Sequence, residues 1–252
     1  MPTAALLFLV LLPPQLVDRT KEVQSPPAVE QEITGEKRAD IFMARKMYRE
    51  AIEKYQFAIQ AEPGSASLYN KLGIAYHQLH LFPEAKRNYE RAIRLDKTFS
   101  RPVNNLGTVY HAERSYKKAA KTYRKALKIS PNVASIHSNL GTAYFSRGDY
   151  KKATEEFLIA LQLDPQVFEA RGRSGSLLME RSVEDRAKYH FFMARAYASA
   201  GIYDRALLNL KRAFEDGYRK PRKVLDDPVF APLLDNVEFQ ALVGAGPSQA
   251  AR

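Results

Sequence analysis

The chain has 252 residues, a formal net charge of +11 at pH 7 and no cysteine. Its length allows one or two compact domains, and the lack of cysteine excludes disulfides, thiolate catalysis and cysteine-ligated zinc. The positive charge is uneven, because residues 66–165 hold 17 Lys and Arg against 8 Asp and Glu.

The first predicted element is the apolar segment Ala4–Leu12. It is too short for a helix that crosses a bilayer, which needs about 20 residues, but it is typical of the apolar core of a secretory signal peptide. We therefore expect an exported protein that is periplasmic, secreted or attached to a membrane. A peripheral membrane anchor, a misassigned start codon and a cytoplasmic location are the alternatives. The Pro-rich, polar remainder of residues 1–31 is predicted to be a disordered tether.

Three consecutive segments then repeat one residue pattern with a period of 34 residues. Six columns hold the same or a similar residue in each segment: Leu72, Leu106 and Leu140; Gly73, Gly107 and Gly141; Tyr76, Tyr110 and Tyr144; Ala85, Ala119 and Ala153; Tyr89, Tyr123 and Phe157; Ala92, Ala126 and Ala160. Their spacing within a unit places them on one face of each of two helices. Glycine and alanine fit where paired helices come close, and the aromatic residues fill the gap beside them.

This order of residues at this period is the tetratricopeptide signature, so the chain resembles the tetratricopeptide repeat (TPR) family. The resemblance implies an all-α, right-handed superhelical solenoid of about five helical hairpins. A degenerate first unit, Glu32–Ser65, precedes three regular ones at Ala66–Phe99, Ser100–Val133 and Ala134–Val167. Four units are thus expected within residues 32–167.

The remaining residues break the period. Ala194, Tyr197 and Ala206 fit the columns of a fifth unit at 187–220, but Ala206 follows Ala153 by 53 residues. Residues 168–186 are therefore predicted to form an odd helix or an irregular joint, and Ser182 with Asp185 resembles a capping box that begins a new helix. Residues 221–252 are expected to form a helical C-terminal cap and tail, with a docking surface for another protein as the alternative.

The resemblance implies that the first helix of each hairpin lines a concave groove. The candidate groove residues are Asn70, Lys71, Arg101, Asn104, Asn105, Thr108, His111, Asn139 and Thr142. Asn105 and Asn139 directly precede the repeat leucine, which is similar to the asparagine ladder that grips a peptide backbone in the TPR domains of O-linked N-acetylglucosamine transferase and kinesin light chain. Lys71 interrupts this ladder. A carboxylate clamp built on Lys71 and Arg101, as in chaperone-binding TPR domains, is the alternative.

A second candidate surface lies on the second helix of the third unit. Lys117, Lys121, Arg124 and Lys128 follow one helix face, with Lys118 and Lys125 beside them. The resemblance places second helices on the outer, convex surface. The stripe is either an ordinary solvated face or a contact for anionic lipid, cell-wall polymer or an acidic protein; nucleic acid is disfavoured, since no aromatic residue interleaves with it.

No catalytic motif is recognised, and no cofactor or metal site is expected. His77 and His111 share a column, but two histidines without a carboxylate are a poor metal site. We therefore expect a non-enzymatic scaffold that binds an extended segment of a partner protein in its groove. The alternatives are a binder of an anionic polymer or membrane through the convex face, and an accessory subunit of an exported enzyme complex.

Overall fold

The computed structural model describes residues 34–169 and 182–244. The expectations for residues 1–31, and most of the predicted joint at 168–186, fall outside the described residues. Within them every regular element is a helix and no strand occurs, as the sequence predicts. None of the helices in this part of the chain is both long and apolar enough to span a membrane.

Four helical hairpins follow one another in the first described part. The helices are α1 (Gly35–Ala44) and α2 (Tyr48–Ala61), α3 (Ala66–Gln78) and α4 (Phe82–Leu95), α5 (Ser100–Ala112) and α6 (Tyr116–Ile129), and α7 (Ala134–Ser146) and α8 (Tyr150–Leu163). Each helix packs against its partner in the hairpin, and each second helix also packs against the first helix of the next hairpin. This consecutive packing is that of a solenoid.

A fifth hairpin and a cap complete the described chain. They comprise α9 (Val183–Ser199), α10 (Tyr203–Glu215), α11 (Pro221–Leu225), a 3₁₀ helix (Pro228–Leu233) and α12 (Val237–Gly244). Helix α9 packs directly on α8. It begins where the capping box is predicted, because the Ser182 hydroxyl accepts the backbone N–H of Asp185 at 3.1 Å.

The cap covers the end of the fifth hairpin. Val224, Phe230, Leu233 and Phe239 are buried, and the 3₁₀ helix packs on α9 while α12 packs on α10. A terminal repeat would otherwise expose its apolar face. Leu234, which directly follows Leu233, is instead exposed.

The repeat columns form the core, and the glycine column explains how the helices come close. A Cβ atom built on Gly73 or Gly107 would lie 2.7 Å from the ring of Tyr89 or Tyr123, and one on Gly141 would lie 2.6 Å from the ring of Phe157. These distances are well inside van der Waals contact, so no larger residue fits there without a shift. The three aromatic rings are at most 2% exposed.

The turn inside each hairpin repeats a backbone conformation that the sequence columns do not reveal. Residues Lys46, His80, Arg114, Gly148 and Gly201 all have positive φ angles between 57° and 83°. The left-handed conformation suits glycine and strains other residues. The first three hairpins therefore carry this strain, and the last two avoid it.

Candidate functional site

The first helices of the hairpins form the inner layer of the solenoid. Helix α5 contacts both α3 and α7, the first helices of the adjacent units. The second helices α4, α6 and α8 each lie between two first helices. This arrangement places the predicted groove residues on α3, α5 and α7 and the predicted basic residues on α6.

Four of the predicted groove residues, all asparagines, form one hydrogen-bonded row across three units, here called the asparagine chain (Asn70, Asn104, Asn105, Asn139). Asn139 Nδ2 donates to Asn104 Oδ1 at 2.9 Å, and Asn104 Nδ2 donates to Asn105 Oδ1 at 3.3 Å. Asn105 Nδ2 in turn donates to Asn70 Oδ1 at 3.0 Å. Two of these bonds join neighbouring units, so the amides hold α3, α5 and α7 in register.

The asparagine chain keeps unused hydrogen-bonding capacity. A side-chain amide has two N–H donors and an oxygen with two lone pairs. Within the asparagine chain, Asn104 and Asn105 each use one N–H and one oxygen lone pair, and both side chains are half-buried. Asn139 is half-buried too, and within the described residues its oxygen accepts no hydrogen bond. Asn70 is buried, with 5% exposure, and serves as the closed end of the chain.

Lys71, which interrupts the ladder, is held by two carboxylates of the first hairpin. Its Nζ lies 2.6 Å from Asp40 Oδ2 and 2.9 Å from Glu36 Oε1. Burial lowers the pKa of Lys71, but the hydrogen bonds to Asp40 and Glu36 outweigh this effect and raise its pKa overall. Tyr55 also donates to Asp40, at 2.6 Å. The charge of Lys71 is therefore already balanced inside the protein.

Three further groove candidates are also engaged internally. Thr108 Oγ1 accepts from the buried Tyr123 hydroxyl at 3.2 Å and donates to the backbone oxygen of Asn104. Thr142 donates to the backbone oxygen of Ser138 at 2.9 Å. His111 is buried, with Nε2 3.0 Å from Ser146 Oγ and its ring 5.0 Å from the Tyr116 ring.

Arg101 differs from these residues. It is exposed at the start of α5, and no carboxylate of the described chain lies within salt-bridge distance of it. Of the two cations considered for a carboxylate clamp, only Arg101 is thus unpaired within the described residues, since Lys71 is neutralised.

The basic residues of α6, here called the basic face, are Lys117, Lys118, Lys121, Arg124, Lys125 and Lys128. All six are exposed, and none forms a salt bridge with another described residue. Lys118 lies 6.0 Å from the centre of the Tyr110 ring. The spacing of these residues matches the helix period, which brings all six to one side of α6.

The histidine column (His77 and His111) and the carboxylates form no metal centre in the described ranges. No group of three or more His, Asp or Glu side chains in residues 34–169 and 182–244 is arranged to hold an ion. Burial lowers the pKa of His77, and His80 nearby lowers it further. His111 is packed inside the protein and does not form a pair of metal ligands with His77.

Sequence comparison identifies the repeats. A TPR repeat model matches residues 39–79 and 107–146, and tetratricopeptide repeat models match residues 66–99 and 134–167. Among curated proteins, none matches the sequence.

Solved structures share the fold at low sequence identity. A crystal structure of MamA is 21% identical, with a TM-score of 0.50 over 73% of this chain and 96% of that chain. MamA 41-end from Desulfovibrio magneticus RS-1 is 17% identical, with a TM-score of 0.50 over 75% of this chain and 93% of that chain. The repeat columns, the consecutive hairpins and the matching repeat models agree, and the chain belongs to the tetratricopeptide repeat family.

Proposed function

We propose that the protein is a non-enzymatic scaffold that holds an extended segment of a partner protein along the inner helices α3, α5 and α7. The TPR scaffold fold supports a role in protein interaction. The observation that carries the finer proposal is the asparagine chain, which presents several side-chain amides in one row.

The chemistry of the asparagine chain suits a peptide backbone. A peptide unit offers one N–H and one C=O, and an amide side chain can pair with both at once. The free N–H and lone pair of Asn104 and Asn105, and the oxygen of Asn139, are fixed in place by the bonds that the same side chains make to each other. Such preorganisation lowers the entropic cost of binding, since only the ligand is ordered.

The charges near the asparagine chain limit which kind of peptide is expected to bind there. The positive charge of Lys71 is balanced by Asp40 and Glu36. The Asn70 end of the asparagine chain therefore has no free cation beside it that would pair with a carboxylate of the ligand. We infer that the row recognises an uncharged, extended stretch of main chain, and that Arg101 adds a contact to an acidic side chain of the ligand.

The test uses a peptide selected from a random displayed library against the full chain. Calorimetry then compares the wild type with Asn105→Ala/Asn139→Ala. Each lost amide contact contributes about 1 kcal/mol, so the pair weakens binding about tenfold or more. The matched control is Asn88→Ala/Asn132→Ala, because Asn88 lies on the outer helix α4 and Asn132 is exposed between α6 and α7.

The structure adds a stability effect to this test. Both groove alanines remove an inter-unit hydrogen bond, at 3.0 Å and 2.9 Å, so the double variant is expected to lose about 1–2 kcal/mol of stability. Titrations are therefore run well below its melting temperature. Equal affinity of wild type and groove variant, with the variant folded, would move the binding site away from the asparagine chain.

A further inference from the structure

The basic face of α6 differs from the other outer helices in having no acidic residue. Helix α6 carries six cations and no carboxylate over Tyr116–Ile129, whereas α4 includes Glu84 and Glu90 and α8 includes Glu155 and Glu156. Cations elsewhere in the described chain are often paired, such as Lys86 with Glu113 at 2.6 Å and Lys188 with Glu184 at 2.7 Å. The charge of α6 is therefore left uncompensated.

This charge arrangement works against the stability of α6 itself. Lys117 and Lys121, and Arg124 and Lys128, are like charges four residues apart, which repel each other on a helix. Lys117 and Lys118 also lie in the first turn, where the helix dipole favours acidic residues and the structure has none. Helix α8 repeats the feature with Lys151 and Lys152. A sequence that retains such destabilising repulsion is expected to use the positive charge in its function.

The chemistry of the basic face selects one kind of partner. Five of its six cations are lysines, which act as point charges and lack the fork that arginine uses for bidentate pairing. No aromatic ring of α6 is exposed for base stacking, because Tyr123 is buried and Tyr116 packs against His111. The face lies on an outer helix, and a flexible acidic peptide would lose conformational freedom on binding there, whereas a bilayer surface loses none.

We propose that the basic face docks the protein on an anionic lipid bilayer, with α6 lying along the surface. Clusters of four to eight Lys and Arg on an amphipathic helix are a recognised pattern for anionic lipids. The stripe from Lys117 to Lys128 spans about 16 Å at 1.5 Å per residue, which allows several headgroups to contact it at once. The inner helices stay free, so this role goes beyond the proposed peptide binding and does not depend on it.

The experiment is sedimentation of the full chain with vesicles of phosphatidylcholine, with and without about 30 mol % phosphatidylserine. The test variant is Lys117→Gln/Lys121→Gln/Arg124→Gln/Lys128→Gln. The matched control is Lys37→Gln/Arg38→Gln/Arg45→Gln/Arg49→Gln, which removes the same charge from exposed residues of the first hairpin. All three proteins retain residues 1–31, so any affinity of Ala4–Leu12 for lipid is common to them.

The wild type and the control are expected to partition onto anionic vesicles and to lose this binding steeply between about 50 and 500 mM salt. The α6 variant is expected to bind at least about tenfold more weakly than the control. Two half variants, one for each end of the stripe, give intermediate losses and cover the case in which the quadruple variant does not fold.

Three results would overturn the proposal. They are equal loss in the α6 and control variants, wild-type binding to anionic vesicles no stronger than to neutral ones, and α6-dependent binding to duplex DNA or to polyglutamate at a salt concentration where the vesicles are not bound. The last result would assign the face to a polymer and not to a bilayer.

Discussion

Gly107→Ala tests the packing on which the whole solenoid rests. The added Cβ would lie 2.7 and 2.8 Å from two ring atoms of Tyr123. The ring is 2% exposed and its hydroxyl donates to Thr108, so it has little room to retreat. Overpacking of this kind costs about 2–3 kcal/mol, whereas alanine gains about 1 kcal/mol of helix propensity over glycine.

The expected net loss is about 1–2 kcal/mol, or about 2–8 °C in melting temperature. Urea unfolding followed by circular dichroism at the helical band measures it. Gly64→Ala is the matched control, because no described residue other than its chain neighbours lies within 4 Å of the added Cβ. The stability of this variant is expected to stay level or to rise slightly.

A second variant locates the clash. In Gly107→Ala/Tyr123→Leu the ring is absent, so the alanine should no longer cost stability relative to Tyr123→Leu alone, and the two changes should be strongly coupled. A Gly107→Ala protein as stable as the wild type would refute the reasoning, since it would show that the ring moves aside freely.

Three other predictions concern single side chains. Tyr89→Phe should leave stability unchanged or raise it, because the buried Tyr89 hydroxyl has no hydrogen-bond partner among the described residues, while Tyr123→Phe should cost about 1 kcal/mol; equal effects in urea unfolding would contradict this. Arg114→Gly should raise the melting temperature by relieving a φ of 57°, a strain of about 1–2 kcal/mol that outweighs the added flexibility of the unfolded chain; a lower melting temperature would oppose it. Burial lowers the pKa of both His77 and His190, so the unfolded chain binds protons first and stability should fall as the pH drops below about 6.5; the fall should be shallower in His77→Gln/His190→Gln, and an unchanged slope would reject these groups as its source.

The core could be predicted from the repeat columns because each column occupies the same packing position in every hairpin. Gly107 and Tyr123 occupy matching positions in a hairpin, and their contact follows from the helix period and the short turn. The C-terminal cap was predictable for the same reason, since apolar residues after the last hairpin have one face to cover. Leu234 is the exception, because the short 3₁₀ helix ends there and directs it to solvent.

The hydrogen bonds among the candidate groove residues could not be predicted from the sequence. The sequence places Asn104 and Asn105 beside the repeat leucine, but it does not show that Asn139 reaches back 35 residues to Asn104. Such contacts depend on the offset between neighbouring units and on side-chain rotamers, which no column records. For the same reason the ion pair between Lys71 and Asp40 was not predicted. The available signal was an acidic residue 31 positions before the lysine.

The left-handed turn residue could have been found from the sequence. Gly148 and Gly201 are 53 residues apart, the same offset that separates Ala153 from Ala206. In the other hairpins this position is occupied by Lys46, His80 and Arg114. Of the residues found there, only glycine indicates a positive φ angle in a sequence, so the position is not evident in those hairpins.

The most direct test of the central claim is a nuclear magnetic resonance titration of the ¹⁵N-labelled full chain with the selected peptide. The side-chain NH₂ signals of Asn104, Asn105 and Asn139 should shift together and saturate at the calorimetric affinity, while the backbone amides of the basic face remain unmoved. Binding with shifts confined to α4, α6 or α8, and with the three asparagine signals unchanged, would contradict the account.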